Sequence, residues 1–274
     1  MKKITRFAPS PTGYLHLGHA FSALLNQKVG DQGTFLIRFE DIDHTRVRPE
    51  YYEAIIEDLD WLGLTSEQEP LKQLDRLKVY EAALDDLKDR GLVYPCFCTR
   101  KELNAIDAPQ QGIEAILYNR KCWGLSKSEI AKKMAEGVPY SWRLDSKKAA
   151  EMVGNVSFID ELQGEVPVNP ELLGDVVLAR KDIGTSYHIA VVIDDHKQGI
   201  TDVVRGEDLL ISTHVHRVLQ ELWNLPQPQY YHHRLICDES GKRLAKRHDS
   251  LSLRAMRERN VSPEELIAQL FSIA

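Results

Sequence analysis

The amino-acid sequence predicts an α/β protein built around a parallel β-sheet. Two observations carry the prediction. Near the N-terminus short apolar runs alternate with stretches of helical periodicity, and after a long interruption helix-then-strand patterning returns between Tyr187 and Leu209. Parallel neighbours need crossover connections, which are right-handed. A length of 274 residues allows roughly two domains.

Ile4–Phe7 (ITRF) reads as a short first strand. Leu17, Ala20, Phe21, Leu24 and Leu25 then fall on the i, i+3, i+4, i+7, i+8 stripe of a core-facing helix. Thr34–Asp41 (TFLIRFED) is an apolar run ending in acids and reads as a second, buried strand. From Tyr51 onward Ile55, Leu59 and Leu62 share a helical face, and Gly63 follows as the stop. A further helix spans about Leu74 to Leu87, with Gly91 just past its end. From Val93 to about Leu173 the alternation breaks into cysteines, Pro109, a QQG stretch and lysine-rich helical pieces. There Ser126 opens a capping box with Glu129, and Gly137 closes that helix. ITDVVRG is the strand of the returning pattern, and Ser262, Pro263 and Glu265 supply the N-cap, first-turn proline and N3 acid of a last helix.

A hydrophobic share of 43% is ample for a core. No apolar run approaches the ~18–20 residues of a membrane span. MKKITRFAPSP carries two lysines but no apolar segment, so it is not a secretory signal and a cytoplasmic location is expected. Cys96, Cys98, Cys122 and Cys237 are too few for a disulfide framework. Three lie close together, which in a reducing compartment points to a metal or to plain thiols. A net charge of −6 does not advertise a nucleic-acid binder, although local patches decide that question.

The stretch RFAPSPTGYLHLGHA, Arg6–Ala20, lies where the first strand gives way to the first helix. Helix N-termini expose backbone N–H groups and the positive end of the dipole, so this turn suits a phosphate. His16 and His19 could place two imidazoles beside that anion, and Gly18 leaves room for a base or ribose to approach. Taken alone, an H-x-x-H is more often a helix cap or a solvent-facing pair; the strand, turn, glycine and helix around this one favour the phosphate site.

These residues resemble the first signature motif of class I aminoacyl-tRNA synthetases, here His16-Leu17-Gly18-His19, and FAPSPTG is similar to the glutamyl branch in particular. The second signature, on a downstream loop, is matched by GKRLAKRH as Arg243-Leu244-Ala245-Lys246-Arg247. RFEDID, DVVLARKD, VVIDDHKQGITDVVRGEDLL and YYHHRLI extend the resemblance over essentially the whole chain. The chain departs from the pattern where Arg243 replaces a lysine and Ala245 a serine, which removes a compact ammonium and a hydroxyl.

The resemblance implies a Rossmann-type catalytic domain split between residues 1–92 and 174–236. It further implies an inserted, zinc-bearing, acceptor-type subdomain over 93–173 and a loop with a short helical segment over 237–274. It implies a ligase that joins glutamate to the α-phosphate of ATP, accompanied by Mg²⁺, and passes the acyl group to tRNA. His16, His19 and Lys246 would stabilise the charge that develops on the phosphates, with Gly18 completing the ATP site. Arg6, Phe7, Ala8, Pro9 and Ser10 would grip glutamate, Arg6 pairing a carboxylate and Ser10 hydrogen-bonding. Glu40 would meet the α-ammonium, while Tyr187 and Arg205 complete recognition, Arg205 suited to a bidentate hold on the side-chain carboxylate. Considered singly, Glu40 and Arg205 could instead form structural salt bridges.

Spacing alone leaves the cysteines open, because three fall one short of a four-ligand site and no histidine lies between Cys96 and Cys122. The resemblance implies a structural zinc on Cys96, Cys98, Tyr118 and Cys122, with Cys237 a separate buried thiol. The chain starts with Met1 and ends at Ala274, soon after the second motif, where glutamyl-tRNA synthetases continue into an anticodon-reading region. It therefore resembles the short branch of the family, the glutamyl-Q tRNA(Asp) synthetases. That branch implies transfer of glutamate to queuosine in the anticodon of tRNA(Asp) by a monomer without a membrane partner. The alternatives are the catalytic portion of an ordinary glutamyl-tRNA synthetase charging tRNA(Glu), a small nucleotidylyltransferase, or a non-catalytic RNA-binding remnant.

Overall fold

A computed structural model describes residues 2–66, 68–99, 102, 118–169, 172, 174–236 and 252–273. The expected parallel sheet is there. Strand β1 (Ile4–Phe7) runs parallel to β2 (Thr34–Phe39), with Ile4 opposite Thr34 and Phe7 opposite Ile37, and β2 runs parallel to a short β3 (Leu71–Lys72). Beside them β9 (Asp202–Gly206) and β10 (Gln229–His233) pair in parallel. The two sets meet at Ile4 and Thr201: the Thr201 N–H donates to the Ile4 carbonyl at 3.0 Å, and the Ile4 N–H to Thr201 Oγ1 at 2.7 Å.

Three helices come where periodicity places them: α1 (Leu17–Gly30), α2 (Pro49–Trp61) and α3 (Leu77–Asp89). The predicted start of α3 is instead a 3-10 turn, Gln73–Arg76. Polar ties shape that turn. Asp41 accepts the Leu74 N–H at 2.8 Å, and Asp194 accepts from Gln73, Arg76 and Tyr80 at 3.0, 2.6 and 2.6 Å.

A second sheet is antiparallel: β4 (Val93–Cys96), β5 (Ser141–Leu144) and β8 (Val177–Ala179). Around it lie α4 (Lys127–Ala135), opened by the predicted Ser126–Glu129 capping box, and α5 (Ser146–Val153). The stretch 93–173 does not stand apart from the parallel sheet. Strand β6 (Ser157–Asp160) pairs in parallel with β10, and β7 (Gly164–Pro167) folds back on β6. Phe158 explains the join, since it is buried with Tyr230, Val203 and Leu36 in one apolar cluster. In the opposite sense β8, expected with the catalytic half, pairs with β5.

Helices α6 (Tyr187–Lys197) and α7 (Leu210–Leu222) cover the sheet together with α3, packing Ile189, Val192, Val215 and Leu219 against Tyr80 and Leu84. Helix α6 is buried nearly all round, so its acids Asp194 and Asp195 lie inside the protein. The chain closes with α8 (Leu253–Glu258) and α9 (Pro263–Ile273). Ser262 accepts the Glu265 N–H at 3.3 Å as predicted, while the acid on its hydroxyl is Glu264, at 2.6 Å. Leu266 and Leu270 of α9 join Phe7, Ala20, Leu24 and Ile37 in the core beneath α1.

Candidate active site

The turn between β1 and α1 is tied to the end of β2, where the Glu40 N–H donates to the Pro9 carbonyl at 3.0 Å. His16 is the N-cap of α1, with extended backbone, and its Nδ1 accepts the Gly18 N–H at 3.1 Å. His19 returns the bond, its Nδ1 accepting the His16 N–H at 3.2 Å, and the two rings stack with centroids 3.8 Å apart. The predicted pair is thus both a helix cap and a matched set of imidazoles. A ring nitrogen that accepts carries no proton, so a neutral ring holds its proton on Nε2, as a donor. The space at Gly18 serves this arrangement: a Cβ there would stand 3.1 Å from His16 Cε1. Ser252, the N-cap of α8, bridges to His16, and the Leu253 N–H donates to the Leu15 carbonyl at 2.9 Å. Arg243, Ala245, Lys246 and Cys237 lie outside the described residues.

Beside this turn is a buried knot of charge. Arg6 grips Asp195 with Nε and Nη2 at 2.8 and 3.3 Å, while Arg38 Nη1 reaches the same carboxylate at 2.6 Å. Arg38 Nη2 stands 3.5 Å from Glu40 Oε1. Burial alone would raise the Asp195 carboxyl, but the two guanidiniums outweigh it and hold it below the usual range. Glu40 goes the other way: burial dominates and pushes its carboxyl up despite Arg38 and Arg6. Phe7 is packed in the core, so only its backbone is left to meet a ligand.

Arg205, only 5% exposed, has a different environment. Its Nε donates to His232 Nε2 at 3.2 Å, Nη1 to the Tyr187 hydroxyl at 3.0 Å, and Nη2 to Thr213 Oγ1 at 2.6 Å. Both terminal nitrogens also stand 3.4 Å from His216 Nδ1. Among the described residues no carboxylate lies within ion-pair distance of it.

The cysteine cluster sits at the end of β4. The Sγ atoms of Cys96, Cys98 and Cys122 all lie within 4.8 Å of one another, with Cys98 and Cys122 at 3.5 Å. Thiolates about 2.3 Å from a tetrahedral zinc would stand ~3.8 Å apart, so the spacing fits. The Tyr118 hydroxyl lies beside them, 3.4 Å from Cys96 Sγ and 3.8 Å from Cys98 Sγ, and accepts the Cys122 N–H at 2.8 Å. The Arg143 guanidinium lies 4.0 Å over the Tyr118 ring. The three buried thiols therefore fit a closed metal site.

The family described as tRNA synthetases class I (E and Q), catalytic domain, matches residues 2–273. The chain belongs to this family. It is 43% identical over 274 residues to a glutamyl-Q tRNA(Asp) synthetase of Rhodobacter capsulatus, covering 96% of this chain and 98% of that protein. It is 38% identical over 268 residues to a glutamate–tRNA ligase of Coprothermobacter proteolyticus, covering 96% of this chain but 56% of the ligase. The fold superposes with a TM-score of 0.74 on the crystal structure of a glutamate tRNA ligase from Elizabethkingia meningosepticum in complex with its amino acid. That pair is 32% identical and covers 90% of this chain and 52% of the other.

The class I synthetase is thus a ligase with a Rossmann-like α/β fold. The predicted Arg6, Glu40, Tyr187 and Arg205 are joined here by side chains that sequence reasoning had not singled out: Arg38, Asp195, Thr213, His216 and His232. Asp194 and Asp195 had left a signal. Two acids inside the apolar run HIAVVIDDH cost too much to bury without partners, and each has arginine. His216 and His232 had none, because isolated histidines near a strand end read as ordinary.

Proposed function

We propose that this synthetase activates L-glutamate with ATP and Mg²⁺ to glutamyl-adenylate and transfers the glutamyl group to queuosine in the anticodon of tRNA(Asp). The observation that carries the amino-acid assignment is Arg205, a buried cation met only by neutral groups when its histidines are neutral. Such a cation is stabilised by an incoming carboxylate and rejects an amide, which would leave the charge unmet. Tyr187 would share that carboxylate. Glu40 would meet the α-ammonium, and Arg6, Ser10 and the backbone of Phe7, Ala8 and Pro9 would frame the rest. Asp195 already occupies two nitrogens of Arg6, so a substrate carboxylate would share that guanidinium with it.

Adenylate formation builds negative charge on phosphate. His16 and His19 Nε2–H donors at the start of α1, Gly18 between them, and Lys246 would stabilise it. The segment carrying Lys246 re-enters the described residues at Ser252, which is bridged to His16. Cys96, Cys98, Tyr118 and Cys122 would hold a structural zinc, which ties β4 to the chain beyond residue 118.

Coverage of 98% of the Rhodobacter capsulatus relative supports the queuosine acceptor. The match to about half of the length of glutamate–tRNA ligases, 56% in the Coprothermobacter proteolyticus protein, favours the second reading, charging of tRNA(Glu). Labelled glutamate and ATP, incubated with tRNA pools that contain or lack queuosine, separate the two. Label confined to the queuosine-containing pool supports the first. Equal labelling of both pools, at the 3′ end, supports the second.

A further inference from the structure

Most buried or half-buried arginines in this protein have an acidic partner. Arg6, Arg38, Arg76 and Arg120 each keep a carboxylate oxygen at 2.6 to 2.9 Å. Arg205 breaks the rule although it is as deeply placed. A guanidinium always donates, so the partner nitrogens must all accept. His216 Nδ1 therefore carries no proton, and its Nε2–H faces His188 Nδ1 at 3.1 Å. His188 is neighbour in sequence to Tyr187, whose hydroxyl also takes an Arg205 N–H. His232 is ordered in the same way: Nε2 accepts from Arg205, and Nδ1 donates to Asp160 at 2.7 Å. One hydrogen-bond chain thus runs from Arg205 through His216 to His188, every proton placed by the one before it.

We propose that His216 is a positioning and specificity residue: it holds the Arg205 guanidinium with a neutral imidazole, so that the anion this arginine meets is the substrate's own. An aspartate or glutamate at this place would hold the guanidinium more firmly, yet would cancel the charge that selects a dicarboxylic amino acid. An apolar residue would leave the charge but not the orientation. Imidazole does both jobs, and burial, helped by the Arg205 charge, keeps His216 well below its ordinary pKa and so uncharged. His216 acts through Arg205 and is not itself assigned contact with the reacting atoms. The inference rests on the reading of Arg205 as the holder of the glutamate side chain.

The test is glutamate-dependent ATP–pyrophosphate exchange with the full chain and the variants His216→Gln, His216→Phe, His216→Glu and Arg205→Ala. Glutamine, whose amide can accept a hydrogen bond, should stay within about threefold of the parent KM for glutamate. Phenylalanine should raise that KM about tenfold, with the KM for ATP and kcat little changed, as loss of a hydrogen bond to a charged group predicts. Glutamate at 216 should raise it about a hundredfold and erase the preference for glutamate over glutamine as substrate, because Arg205 is then neutralised. A His216→Glu protein that melts like the parent and keeps both its glutamate KM and its selectivity would overturn the proposal, provided Arg205→Ala loses them. If His216→Glu does not fold, equal KM values for the Gln and Phe variants overturn it instead. An Arg205→Ala protein with unaltered glutamate KM would bring down the underlying pocket assignment, and this inference with it.

Discussion

Arg6 on the first strand and Asp195 on α6 are joined by two charge-assisted hydrogen bonds, 2.8 and 3.3 Å long, although 189 positions separate them in sequence. Asp195 also takes a 2.6 Å bond from Arg38, so one carboxylate holds two buried guanidiniums in place. Asp195→Asn leaves the shape and removes the charge. Breaking a buried pair by removing one partner costs roughly 3–5 kcal/mol. Urea denaturation should show a loss of that order, and unchanged stability would mean the knot is dispensable.

Arg205→Ala should weaken glutamate selection by roughly 2–5 kcal/mol, the usual cost of removing one partner of a buried charge pair. The comparison of kcat/KM for glutamate between parent and variant checks it. Because Arg205 also ties Tyr187, Thr213, His216 and His232 together, the melting curve of the variant has to accompany the kinetics.

Lys246→Ala should depress adenylate formation while leaving the melting temperature nearly untouched. This expectation comes from the second family motif, since Lys246 lies outside the described residues. Pyrophosphate exchange unchanged by the substitution would remove Lys246 from the mechanism.

Purified protein should contain about one zinc per chain, the stoichiometry of one site with about four donors. Cys98→Ser or Cys122→Ser should lower that content and loosen β4–β5, seen as faster amide exchange around Cys96 and Ser141. Metal analysis showing no zinc in the parent would sink the assignment.

Acid should destabilise the fold. Burial is the main cause that holds His188 and His232 down to about 4, and the Arg205 charge adds to it. An unfolded chain takes up these protons near the ordinary value of about 6.5. Between these limits the unfolded state binds more protons, so stability is intact above pH 6.5 and falls as the pH drops toward 4. The loss is on the order of 3 kcal/mol per histidine. The denaturation midpoint should therefore be lower at pH 4.5 than at pH 7, and a His188→Asn protein should show a flatter dependence.

The elements on the parallel sheet were legible because each buries one regular stripe. Ile4–Phe7, Leu17–Gly30 and Thr34–Phe39 lie within a residue or two of where periodicity puts them. Strands β6 and β7 were not, because short runs such as SFID and GEVP gain their strand character from a partner far away in the chain, Phe158 packing on Tyr230. The same division holds at the site. His16, His19, Arg6, Glu40 and Arg205 announce themselves through local motifs. Thr213, His216 and His232 matter only through what they hold, a relation set by tertiary contact and invisible to spacing.

The seam between Ile4 and Thr201 has a consequence for synthesis on the ribosome. Strand β1 is made first, but its second edge stays uncovered until Thr201 emerges. At about 5–20 residues per second that is a wait of roughly 10–40 s. Throughout it Arg6 and Arg38 have no Asp195 to fold against, so the nascent N-terminal half is the stretch where chaperone engagement should concentrate.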